Sequence, residues 1–209
     1  MGKSASSDAL MNLLLRANRH RLANDYRAAL GLYEQAVTSF PTPDILAEIA
    51  SCHFRLAFDS DGAEPEDLEK AVEYMERAVA LAPQVGHWHA KLAEYLYLGL
   101  LECERSAQEY RTAIALGAKD ESTFRGAAML YGLPEDVVTL EEAIEWLEAA
   151  AGIAPEDPNI WGRLGQICHQ AGRESEALAY WSKALLCPHP LEQGYLSVIE
   201  RATGISSST

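Results

Sequence analysis

Six histidines and four cysteines are the side chains of this chain best equipped to hold a metal or act as nucleophiles. Cys52 adjoins His53, Cys168 adjoins His169, Cys187 lies two before His189, and His87 and His89 flank Trp88. Successive residues on a helix point about 100° apart, so adjacent Cys and His side chains cannot easily face one ion. No paired C-x-x-C and no H-E-x-x-H occurs, the spacings that bring ligands onto a common zinc. Gly2-Lys3-Ser4 lacks the glycine-rich loop a phosphate cradle needs, and there is no G-x-S-x-G nucleophile turn. Two acidic clusters, within 66–76 and 135–148, stand on helical stretches that read as exposed, where little would raise a carboxylate for acid–base work. No catalytic residue, metal or cofactor is expected, and no enzyme.

What remains is recognition chemistry. Arginine offers a planar fork to carboxylates and carbonyls, and amides can pair with a peptide backbone. With 17 Lys and Arg against 31 Asp and Glu, the chain has a net charge of −14, which opposes a general role on nucleic acid or anionic lipid. The four cysteines are too sparse for a disulfide scaffold and read as free thiols of a reducing compartment. The longest apolar run, 95–101, is about a third of a bilayer span of roughly 20 residues. A cytoplasmic protein with protein or peptide partners is expected. Only Met1-Gly2-Lys3-Ser4-Ala5-Ser6, which fits the N-myristoylation pattern, points toward a membrane.

The elements that would position such groups repeat. Ala29, Ala71, Ser106, Ala143 and Ala177 recur with sequence gaps of 42, 35, 37 and 34. The columns Ala36, Ala78, Ala113, Ala150, Ala184 and Tyr33, Met75, Tyr110, Leu147, Trp181 keep the same four gaps. Five helix–turn–helix units of about 34 residues follow. The excess over that length, largest in the second unit and smaller in the fourth, is assigned to the turn inside the unit. Seven-residue spacing puts the two small residues of each unit on one helical face, where a neighbouring helix can approach closely.

The last unit carries Trp161-x-x-Leu164-Gly165, then Cys168, Gly172, Ala177, Trp181 and Ala184, and resembles the tetratricopeptide repeat signature. Phe54 and Tyr131 are assigned to its tyrosine position, and the third unit looks one residue out of step, with Trp88 four before Leu92. The resemblance implies an all-α, right-handed α-solenoid of five tetratricopeptide-like repeats, at about 9–41, 44–83, 86–118, 121–155 and 158–189. A polar tail at 1–8 precedes them; a capping helix at 190–203 and a disordered tail at 204–209 follow. It further implies that first helices line a concave groove and second helices the convex side.

First helices, taken as 9–22, 44–57, 86–98, 121–132 and 158–171, sum to +3; second helices, taken as 25–38, 66–81, 102–115, 135–150 and 173–186, sum to −11. Acidity is thus expected outside and a neutral to weakly basic groove inside. Its candidate binding residues are Asn18, Arg21, Arg55, Lys91, Arg125, Met129, Arg163, Gln166 and Gln170. One subset of the family clamps a C-terminal carboxylate with lysine and asparagine. Here the asparagine column reads Asn18, Cys52, Glu94, Met129, Gln166, and Leu14 stands where the lysine would be, so that activity is not expected. The expected function is an interaction adaptor holding a partner peptide or helix in the groove. The alternative is a structural subunit that docks through its acidic convex face or its ends.

Overall fold

Asp25, Thr42, Asp120, Thr139 and Asp157 each stand at a helix start and accept a backbone N–H with a side-chain oxygen, satisfying donors that a helix leaves open. In the computed structural model, which describes residues 2–59, 65–134 and 136–205, these caps punctuate eleven helices, and no strand occurs among the described residues. The chain divides into two compact units, Met1–Ala118 and Lys119–Thr209. None of the described helices is long and apolar enough to cross a membrane.

The first unit holds α1 (Gly2–Leu22), α2 (Tyr26–Ser39), α3 (Pro43–Asp59), α4 (Pro65–Leu81), α5 (Gly86–Tyr95) and α6 (Cys103–Ala115). Consecutive helices pair as α1–α2, α3–α4 and α5–α6, and each pair packs on the next. The second unit holds α7 (Glu121–Met129), α8 (Leu140–Ile153), α9 (Pro158–Gln170), α10 (Glu174–Leu186) and α11 (Gln193–Thr203). Here α7 pairs with α8 and α9 with α10, while α11 lies against α9.

The small-residue columns are where the helices touch. All ten members of the two columns from Ala29 and Ala36 are at most 1% exposed, and the large residues between them, Tyr33 to Trp181, at most 4%. Ser106, the one polar member, is satisfied: its Oγ donates to the Ala93 carbonyl at 2.7 Å and stitches α6 to α5. A third small column, Ala17, Ala50, Ala93, Ala128 and Gly165, is buried on the first helices.

That third column corrects the register in two units. The step from Ala36 to Ala50 is one residue shorter than the steps from Ala78 to Ala93, Ala113 to Ala128 and Ala150 to Gly165, which are equal. The α2–α3 turn is therefore a residue short, so His53 rather than Phe54 takes the place equivalent to Tyr131 and Cys168, and Ser51 rather than Cys52 falls in line with Asn18. In α5 the opposite happens. The step from Ala93 to Ser106 is one residue longer than that from Gly165 to Ala177. The extra residue is absorbed by a π-helical turn at Leu96–Leu100, ended by Leu101 in the left-handed region at φ 57°; i→i+5 bonding takes up one residue without changing direction.

Other boundaries also move. Residues 2–8, expected as a tail, already belong to α1, since nothing between Lys3 and Asp8 breaks a helix. The expected helix at 135–150 starts only at Leu140, because Thr139 and Glu142 form a reciprocal capping box; Asp136 precedes it at φ 47°. The turn assigned the excess length of the second repeat falls at 60–64 outside the described residues, as do Met1 of the acylation pattern, Glu135 and residues 206–209 of the tail.

Asp120 gives the caps a measurable signature. Partial burial pushes its carboxyl up, but hydrogen bonds from Ser122 Oγ, Thr123 Oγ1 and the Thr123 amide outweigh it and hold it at about 2. A depressed acid contributes stability that is complete above the unfolded value near 4 and fades as pH falls toward 2. Asp120→Asn should therefore flatten the acid limb of urea-unfolding stability between about pH 4 and pH 2, with little change in that slope above pH 5.

Candidate partner-binding faces

In the first unit the candidate residues come from the exposed sides of α1, α3 and α5. Asn18 Oδ1 accepts from Arg21 at 2.8 Å, and Arg21 Nε reaches Glu48 at 3.1 Å, tying α1 to α3. Lys91 Nζ pairs with Glu94 at 2.8 Å one turn along α5. Arg21, Glu48, Ser51, Trp88, Lys91 and Tyr95 surround a hollow of about 230 Å³. Arg55 stands exposed, with no ion pair among the described residues. Burial pushes the neighbouring Tyr95 phenol up to about 12, with a hydrogen bond to Ser51 and the Arg55 charge opposing.

Trp88 is the residue that sequence reasoning misplaced. Counted back from Ala93, the signature tryptophan position is His89, and the hydrogen bonds agree. Trp161 Nε1 donates to the Pro155 carbonyl at 2.9 Å, and His89 Nε2 meets the Pro83 carbonyl at 3.0 Å, each six residues upstream. His89 does the tryptophan's structural work, which leaves Trp88 half-buried on the hollow's wall.

In the second unit Arg125, Met129, Leu147, Ile160, Arg163 and Tyr195 border a pocket of about 350 Å³. Arg125 Nη1 lies between Glu121 at 2.9 Å and Asp157 at 3.3 Å, so its charge is already matched by α7 and the cap of α9. Arg163 differs: its bonds run to the neutral oxygens of Gln166 (2.9 Å) and the Tyr131 backbone (3.3 Å). Met129 is half exposed at the pocket's edge, Gln166 is held by Arg163, and Gln170 is exposed at the end of α9. Tyr195 of α11 is not among the candidate binding residues read from the sequence. It enters the pocket because Gly162 has no side chain; a Cβ there would stand 2.9 Å from the Tyr195 ring. Burial raises the Tyr195 phenol, with Arg163 opposing.

Four of the six histidines serve the scaffold. His20 pairs with Asp25 (3.0 Å), His53 with Asp67 (2.7 Å), His89 with Glu109 (2.6 Å) and His169 with Glu174 (2.8 Å), each joining a first helix to its second-helix partner or to the turn before it. Cys52 and Cys168 are fully buried, and burial, reinforced by Glu48, pushes the Cys52 thiol up to about 12. Among the described residues no three His, Cys, Asp or Glu side chains converge as metal ligands.

A family model described as tetratricopeptide repeat matches residues 14–86 and 140–189, together more than half of the chain. No curated protein matches the sequence. Among solved structures, a MamA protein is similar at a TM-score of 0.71 and 17% identity, over 97% of this chain and 99% of that one. MamA (residue 41 to the end) from Desulfovibrio magneticus RS-1 is similar at 0.70 and 16% identity, over 85% and 94%. YrrB, described as a TPR protein with an unusual peptide-binding site, is similar at 0.69 and 16% identity, over 92% and 91%.

Proposed function

Because the chain belongs to the tetratricopeptide repeat family, we propose that it is a protein–protein interaction adaptor that holds an extended peptide or a helix of its partner against the exposed sides of its first helices. The observation that carries this reading is the pocket in the second unit. Met129, Leu147 and Ile160 supply an apolar lining, and Arg163 stands beside it with a guanidinium bonded, among the described residues, only to neutral oxygens. A partner segment gains apolar contact from the lining and a charge-assisted fork from Arg163, which fixes its orientation. In the first unit Trp88 and Lys91 on the hollow's wall, with Arg55 exposed on α3, offer an aromatic surface and cations.

A partner recovered from the native source and identified by mass spectrometry provides the probe. Arg163→Gln with Met129→Ser should weaken its binding by about tenfold or more while leaving the melting temperature within a few degrees, since neither side chain is a core residue. Charge reversal at Arg125 is the wrong instrument. It would set three carboxylates together, with Glu121 and Asp157, and lower stability by itself. Undiminished capture by the Arg163/Met129 variant, in a chain that also retains it after Trp88→Ala, would remove the first-helix faces from consideration.

A further inference from the structure

On α2, α4 and α8 the residue following each small seam residue is also apolar, and the next pair of the same unit covers it. Leu30 and Val37 on α2, Val72 and Val79 on α4, and Ile144 and Ala151 on α8 are all buried or half-buried. On α10 the same two positions are Leu178 and Leu185, and they are 48% and 55% exposed. The helix α11 covers only part of this seam. It sets Val198 and Ile199 against the Trp181 cluster, and none of its own residues is fully buried. Between α10 and α11 an apolar groove of about 320 Å³ stays open, lined by Leu178, Trp181, Leu185, Leu196, Ile199 and Ile205.

The chain also carries a helix suited to that groove. On α1, Met11, Leu15 and Leu22 are 58%, 54% and 70% exposed, and their spacing puts them within an arc of about 40°. The charge is complementary. Arg16, Arg19 and Arg21 make residues 8–22 of α1 basic against a single acid, Asp8, whereas residues 119–209 hold six basic and fourteen acidic side chains, a net charge of −8. Within a Debye length of about 8 Å the basic helix and the acidic second unit of another copy attract, and the apolar stripe supplies the contact.

We propose that this chain associates with itself through two unlike surfaces: the Met11–Leu15–Leu22 stripe of α1 on one copy seats in the α10/α11 groove of the next. Such a heterologous contact is unsatisfied at both ends of any open chain of copies, so it grows with concentration or closes into a ring. Neither surface is the pocket around Arg163, so self-association is separable from partner capture there, although the stripe shares the exposed face of α1 with Asn18.

Sedimentation velocity and light scattering over a hundredfold range of concentration test it. The wild type should increase in mass with concentration. A variant carrying Leu15→Glu and Leu22→Glu, and another carrying Leu178→Glu and Leu185→Glu, should each associate about tenfold or more weakly and run as monomers. All four positions are solvent-exposed, and circular dichroism melts check that both variants are folded. Mixed in equal amounts, the two variants should form a dimer and nothing larger, because each supplies the surface the other lacks. A wild type that stays monomeric throughout overturns the proposal. So does a mixture that stays monomeric, or either variant associating as well as the wild type.

Discussion

Trp181→Ala is expected to destabilise the second unit by about 3–5 kcal/mol, the usual range for deleting a buried indole. Trp181 is 1% exposed and the largest of the fully buried side chains. Its ring lies where a side chain on Gly165 would be, so that a Cβ at 165 would fall inside the indole. Two helices thus meet at a distance set by one residue without a side chain and one with the largest. The cluster around Trp181 includes Cys168 and Ala177, and Val198 and Ile199 of α11 pack on it. Removing the indole therefore withdraws support from Val198 and Ile199 of α11 as well as from the α9–α10 contact. Urea titration should show a lower midpoint, and hydrogen exchange should quicken across 158–203. Gly165→Ala in the wild-type background should cost about 1–3 kcal/mol through overpacking. Combined with Trp181→Ala it should cost much less than the sum, because the indole that it strikes is gone; a double-mutant cycle measures that coupling.

Met75→Ala is the counterpart in the first unit, with an expected loss of about 2–5 kcal/mol. Met75 is 1% exposed on α4 and belongs to one cluster with Leu46 and Ala50 of α3 and Leu92 and Tyr95 of α5. It thus fills space both within its own pair and across the seam to the next. Truncation leaves a cavity that neither side can close without breaking register at Ala71 and Ala78. Met75→Leu, which nearly conserves volume, should stay below about 1.5 kcal/mol. In stacked repeats stability is close to a sum of local and nearest-neighbour contributions, so exchange should rise first in α3, α4 and α5. Protection lost evenly over the whole chain would contradict that division of the core.

The same side chains show what could be read before any coordinates. Both small columns and the Tyr33-to-Trp181 column were legible because seam burial imposes residue size at fixed helical spacing, and all fifteen positions are buried. Register on the first helices was less legible. A uniform repeat step put Cys52 beside Asn18, but the α2–α3 turn is a residue short; Trp88 stood one residue out of step because His89 holds the signature place. Turn length is settled by local capping and packing, and a one-residue error rotates a helical position by about 100°. Arg125 and Arg163 were both recognisable as exposed cations. What separates them, Asp157 beside one and a neutral carbonyl of Tyr131 beside the other, lies 32 residues away in sequence and exists only once the helices are packed.

The π-helical turn at Leu96–Leu100 has a bearing on how such a chain tolerates insertion and deletion. A wider loop of backbone at the end of α5 stores one surplus residue while Ala93 and Ser106 still meet, Oγ to carbonyl. Excising a single residue there should let α5 run on as ordinary α-helix without shifting anything downstream, so length variation in this array need not be confined to its connecting segments.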